Sequence, residues 1–185
     1  MLRGAAQDEA KLGPFWSRYA ERNQIFAGDG KGGFRETSAD NAPFCGAAGS
    51  YRGLAVGDID RDGALDLLVT TIAGPARLFR NVAPKRGHWL MVRALTGAGT
   101  GRDAYGAEVV VTAGGRRRSG LVNPGQSYLC SHAPDVHFGL GAADAFEGIE
   151  VLWPDGTREA FPGGKADRAV VLRQGKGAKG GEGKR

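Results

Sequence analysis

The sequence predicts an all-β protein, and three observations carry that prediction. Glycine occurs 32 times in 185 residues, which suits many tight turns better than long helices, because glycine opens turn conformations and weakens helix interiors. Apolar residues come in runs of roughly four to eight, rich in Val, Leu and Ile, the length of strands. Between the runs, "GGFRE", "TAGGRRR" and "WPDGTRE" place Gly or Asp-Gly where hairpin turns need them.

In chain order, residues 1–20 form an N-terminal segment whose only assigned element is a helix candidate near 7–12. Strands are expected at 23–27 and 34–37, flanking the turn that holds Asp29, then at 53–57, 66–72 and 77–80. Further strands are expected at 88–95, 108–113 and 117–122, the last two joined by "TAGGRRR". Residues 127–131 and 136–139 follow. In "VHFGLG", Val136, Phe138 and Leu140 alternate and form one buried face. The strand at 148–153 stops at Pro154, which has no N–H for a ladder. Asp155-Gly156 then turns the chain into 158–161, and 169–173 is the last strand expected. A faint echo links "NQIFAGDG" (23–30) to "ARLFRNVA" (76–83). Its spacing is near the period of about 40–50 residues found in β-propeller blades.

Charge and cysteine usage narrow the function classes. The net charge is +5, but Arg173, Lys176, Lys179, Lys184 and Arg185 face only Glu182 at the carboxyl end. The rest of the chain is close to neutral, whereas a nucleic-acid binder carries its charge on the folded body, so no nucleic-acid partner is expected. The segment 174–185 is expected to be a disordered basic tail. No apolar run is long enough to span a bilayer, and the N-terminus has no sustained apolar stretch of a secretory signal. Cys45 and Cys130 could pair in an oxidising compartment or remain two free thiols; the sequence leaves both open.

The most informative stretch is "GDIDRDGALDLL". Asp58, Asp60, Asp62 and Asp66 follow D-x-D-x-D-G-x-x-D, with Gly63 after the third aspartate. Like charges this crowded are unfavourable without a countercharge. A hard divalent cation resolves the conflict, and Ca²⁺ takes six to eight oxygen ligands at about 2.3–2.6 Å. The expected ligands are Asp58, Asp60, Asp62, the backbone carbonyl of Ala64, and Asp66. An EF-hand needs a bidentate Glu at position twelve, where this chain has Val69. The flanks read as strands, so the pattern predicts a calcium loop within a β-hairpin.

On these residues, "LAVGDIDRDGALDLLVT" resembles the calcium-binding core of an FG-GAP/VCBS repeat, the blade unit of integrin-type β-propellers, and "NQIFAGDGKGGFRETS" resembles the outer strand pair of the preceding blade. The segments "HWLMVRAL", "DAYGAEVVVTAGGRRR", "SYLCSHAPDVHFGLG" and "IEVLWPDGTRE" resemble an ASPIC/UnbV domain. The ordered pair is similar to the arrangement in the cartilage acidic protein family and its bacterial relatives. The resemblance implies a propeller-blade region over 21–83, with Asp29 in a turn and not on a metal. An ASPIC/UnbV-like β-sandwich or barrel-like domain follows over 84–173.

Three chemical alternatives compete with a structural role. Cys130, His132, Asp135 and His137 are possible zinc ligands, but their spacing matches no familiar zinc pattern. Ser131, His132 and Asp135 are too close in sequence for the usual triad geometry, and a G-x-S-x-G elbow is missing. Arg116, Arg117 and Arg118 could grip anions, but they sit where a hairpin should solvate them. The expected function is therefore a non-enzymatic, calcium-binding, extracytoplasmic interaction or adhesion module. The resemblance implies an extracellular protein or glycan as partner and a place at the carboxyl-terminal end of a longer propeller protein. The alternatives are an accessory or catalytic domain of a secreted metal-dependent enzyme, or a purely structural propeller cap. An enzyme would need His132, Asp135 or His137 in a pocket with the aspartate loop.

Overall fold

A computed structural model of the chain describes residues 13–72, 74–84, 87–97 and 101–179. The helix candidate near 7–12 lies outside them. The described chain is dominated by strands, as the all-β prediction requires, and it divides into two compact units. The first takes in residues up to Val56, Leu65–Val82 and Ser127–Ser131; the second takes Gly57–Ala64, Ala83–Gln126 and the chain from His132 onward.

The first unit is built from small sheets. A one-turn helix, α1 (Pro14–Ser17), precedes β1 (Glu21–Arg22), which pairs with β4 (Ala48–Gly49). β2 (Phe26–Gly28) and β3 (Phe34–Glu36) form a hairpin. Its turn is organised by Asp29, whose Oδ1 accepts the N–H groups of Lys31 at 2.7 Å and Gly33 at 2.9 Å. These bonds hold the Asp29 carboxyl below its ordinary pKa. A 3₁₀ turn (Ser38–Asn41) leads into a second one-turn helix, α2 (Ala42–Cys45). The sequence reading missed both helices. Each has a Pro at its start, a position that proline favours in helices and in turns alike. β5 (Tyr51–Gly57), β6 (Asp66–Thr71) and β7 (Arg77–Phe79) complete the unit as a three-stranded sheet.

One expected strand of this unit is a turn. Residues 127–131 make a single bridge, Ser127 to Cys130, and Leu129 takes a left-handed φ of 52° with 85% of its surface exposed. The segment is held by packing, not by a ladder. The Cys130 sulfur lies over Gly53, where any β-carbon would overlap it. Cys130 and the buried Cys45 are both free thiols.

The second unit is a β-sandwich. One sheet runs β11 (Arg116–Leu121), β10 (Glu108–Ala113), β13 (Ala145–Leu152), β14 (Arg158–Lys165) and β16 (Ala178–Lys179). The other runs β12 (Val136–Gly141), β8 (His88–Thr96) and β15 (Arg168–Arg173), with β9 (Arg102–Asp103) paired to the end of β8. All pairings are antiparallel except β8 with β15.

Alternation along each strand fills one core from both sheets. Leu90, Val92 and Ala94 come from β8, Val109, Val111 and Ala113 from β10, and Val136, Phe138 and Leu140 from β12. Burial of each large side chain contributes roughly 1.5–3 kcal/mol before the cost of ordering the chain. Neither sheet closes on itself, which decides between the sandwich and the barrel-like alternative.

The expected disordered tail begins too early. Residues 174–179 are ordered, and β16 pairs with β14 through Glu159–Lys179 and Ala160–Ala178. The cause is Glu159, buried at the sheet edge. Its two carboxylate oxygens accept the N–H groups of Gly175 at 2.7 Å and Gly177 at 3.2 Å. Composition pointed to a solvated segment, but a specific charge-assisted clamp orders its first turn. Residues 180–185 lie outside the described part.

Candidate metal centre

β5 delivers the chain into the aspartate loop and β6 takes it away. The loop is shaped by its own first carboxylate. Asp58 Oδ1 accepts the Asp62 N–H at 3.2 Å, and Oδ2 accepts the Gly63 N–H at 2.9 Å. Two left-handed residues, Arg61 (φ 59°) and Gly63 (φ 87°), curl the chain around these bonds. The Ala64 N–H donates to Asp62 Oδ1 at 2.9 Å. Asp66 opens β6 with only 2% of its surface exposed, and its Oδ1 accepts the Asn81 N–H at 2.8 Å.

This folding gathers one carboxylate oxygen each from Asp58, Asp60 and Asp66, all within 4.8 Å of one another. Asp66 is buried, Asp58 half-buried and Asp60 exposed, so the group reaches from the protein interior to solvent. Two donors of a single Ca²⁺ can lie up to about 5 Å apart, twice its ligand distance. Three hard oxygens at this spacing therefore fit that ion. Of the expected ligands, Asp62 lies outside the group, with its Oδ1 turned to the Ala64 N–H, and Ala64 is buried beside it.

A tryptophan and a histidine brace the same loop. Nε2 of His137, on β12, lies 2.8 Å from the Gly63 carbonyl oxygen. Since a carbonyl only accepts, the proton of that bond is on Nε2. The Trp89 indole, on β8, stacks nearly parallel to the His137 ring at 6.4 Å between centroids, and it fills the space that a side chain at position 63 would need.

A family model described as an FG-GAP-like repeat matches residues 15–69, and one described as ASPIC and UnbV matches residues 97–179. The chain carries an FG-GAP-like repeat followed by an ASPIC and UnbV domain. It is also similar to cartilage acidic protein 1 of Xenopus tropicalis, Homo sapiens and Mus musculus, at 37% identity over 115 residues in each. Those alignments cover 58% of this chain and 16–17% of the relatives, so the chain spans about a sixth of their length. The four aspartates lie inside the FG-GAP-like repeat.

The other candidate residues fall within the ASPIC and UnbV match, and the structure assigns most of them ordinary roles. Arg117 makes a two-pronged bond to Glu150, at 2.7 and 3.1 Å, which lowers the Glu150 pKa. Arg118 donates to the Ala113 carbonyl at 3.1 Å. Both bonds are local to the β10–β11–β13 sheet and present no anion cradle. Among the described residues, Cys130, His132, Asp135 and His137 do not form a converging metal group as the three aspartates do.

Asp135 is half-buried, and that burial raises its pKa; Arg93 opposes the shift and Asp103 adds to it. An acid whose folded pKa is raised destabilises the folded state once it is ionised. Its contribution is most favourable at low pH and is lost as pH rises through the folded pKa. Asp135→Asn is therefore expected to raise Tm by about 1–3 °C at neutral pH, with the gain vanishing below the ordinary Asp value of 3.8. Thermal melts at the two pH values check this, and a lower Tm at neutral pH would count against it.

Proposed function

We propose that this chain is a non-enzymatic, calcium-stabilised interaction module that works outside the cytoplasm. The observation that carries the reading is the convergence of the Asp58, Asp60 and Asp66 carboxylates within one hairpin loop. The proposed ligand set is Asp58, Asp60, Asp62, the Ala64 carbonyl and Asp66. When bound, the ion would supply the countercharge that lets three carboxylates share one small volume. The protein's part is to hold the donors: Asp58 ties the loop to itself, and the Asn81 N–H fixes Asp66 at the mouth of β6.

A structural role for the ion is favoured over catalysis by the donor set and by His137. All the proposed ligands come from one turn, as in a cross-link. An enzyme reading asks for a histidine at the loop, and His137 is there. The nitrogen it turns to the loop, Nε2, carries the proton and donates it to a backbone carbonyl, so that atom braces the loop and cannot take a proton there. The region over 21–83 is proposed as the blade and 84–173 as the interaction domain, with a protein or glycan as partner. The relatives' name ties them to cartilage, and only the extracellular setting is carried over to this chain. Among the described residues, no helix is long and apolar enough to cross a membrane.

Thermal melts with calcium and with chelator test the proposal. Ligand at a hundred times its Kd adds about 2.7 kcal/mol to stability, which for a chain of this size raises Tm by roughly 5–10 °C. Asp60→Ala, at the exposed end of the group, is expected to remove that gain while leaving the chelated Tm nearly unchanged. Identical melts in calcium and chelator would end the metal reading.

A further inference from the structure

We infer that His137 and Trp89 are positioning residues of the aspartate loop: they set its geometry for the cation although neither contributes a donor. The inference rests on the calcium reading above and adds to it. Its basis is one peptide plane, the amide linking Gly63 to Ala64. The carbonyl end of that plane accepts the His137 Nε2 proton at 2.8 Å, and the N–H end donates to Asp62 Oδ1 at 2.9 Å. A peptide held at both ends cannot rotate. Fixing it fixes the direction in which the chain leaves Gly63, and it anchors the Asp62 carboxylate.

Trp89 packs against the same glycine. The indole occupies the side-chain space of Gly63 and stacks on the His137 ring, with 8° between the planes. The stack holds the imidazole while its Nε2 reaches the carbonyl. The arrangement also separates two neighbouring carbonyls: that of Gly63 is taken by His137, and that of Ala64 is the one in the proposed ligand set. Groups that orient metal ligands without touching the ion commonly change metal affinity by about 10–100-fold when removed.

The test is a calcium titration of the full chain by calorimetry, with His137 replaced in two ways. His137→Gln keeps an N–H at the reach of Nε2, and His137→Leu keeps bulk without a donor. Wild type and His137→Gln are expected to agree within about threefold, and His137→Leu to bind about tenfold more weakly. Equal affinity in all three would overturn the inference. If His137→Leu does not fold, His137→Asn takes its place: its amide is too short to reach the carbonyl, and its affinity should fall in the same way.

A second readout is independent of affinity. The chain has three tryptophans, and Trp89 is the one stacked on the loop. Calcium is expected to change tryptophan emission in wild type but not in Trp89→Phe, which keeps Trp16 and Trp153. An undiminished change in Trp89→Phe would overturn the role given to the indole. Failure of the calcium reading itself is distinguishable, because wild type and Asp60→Ala would then both show no heat of binding.

Discussion

Gly63→Ala is expected to destabilise the chain by about 2–5 kcal/mol and to abolish its response to calcium. Two costs add. The residue sits at φ 87°, where an L side chain costs roughly 1–2 kcal/mol. The new methyl would also overlap the Trp89 indole, and overpacking of this kind costs typically 1–3 kcal/mol. The two parts can be separated. Trp89→Ala opens the space, so in that background Gly63→Ala should retain only the backbone cost. A double-mutant cycle in urea reads the difference as a coupling energy of about 1–3 kcal/mol. If Gly63→Ala costs no more than a surface substitution, about 0.5 kcal/mol or less, the packing of the loop against Trp89 is wrong.

The same loop marks the boundary between what local sequence reveals and what it hides. Four aspartates within nine positions are visible to any reader, because charge crowding is a property of adjacent residues. The structure brings three of them together. The Gly63 turn was also legible, since glycine is the residue that takes a left-handed φ without strain. Trp89 and His137 were not. They are 26 and 74 positions from Gly63, and neither carries a periodic signal; each reads as an ordinary member of its strand.

Strands followed the same rule. "EVVVTA" is rich in β-branched residues and predicts a strand at the observed Glu108–Ala113. "SYLCS" has strand composition, yet no ladder forms there, because composition cannot supply a partner. At the other extreme, "GKGAK" has no apolar content to fold on. It is ordered as far as Lys179 by Glu159, a contact made across 16 and 18 positions. Propensity and alternation thus set element type, while tertiary clamps decided the exceptions.

Trp153 is where the second large effect is expected. It is 1% exposed, directly after β13, and belongs to the sandwich core, with its ring edge-on to Phe161 at 6.5 Å. Trp153→Ala removes the largest side chain of that core and leaves a cavity in it. The expected cost is about 3–5 kcal/mol, read as a drop in urea midpoint with an unchanged slope.

Trp153→Phe should behave very differently. Among the described residues the buried indole Nε1 has no hydrogen-bond partner, and an unsatisfied buried donor costs about 1–3 kcal/mol. Phenylalanine removes that donor along with some volume, so the two terms oppose each other. The phenylalanine variant is expected to lie within about 1 kcal/mol of wild type. A cost for Trp153→Phe approaching that of Trp153→Ala would mean that Nε1 makes a bond in solution, to a trapped water for instance. The indole would then be an anchor of the core through its polar atom as well as its bulk.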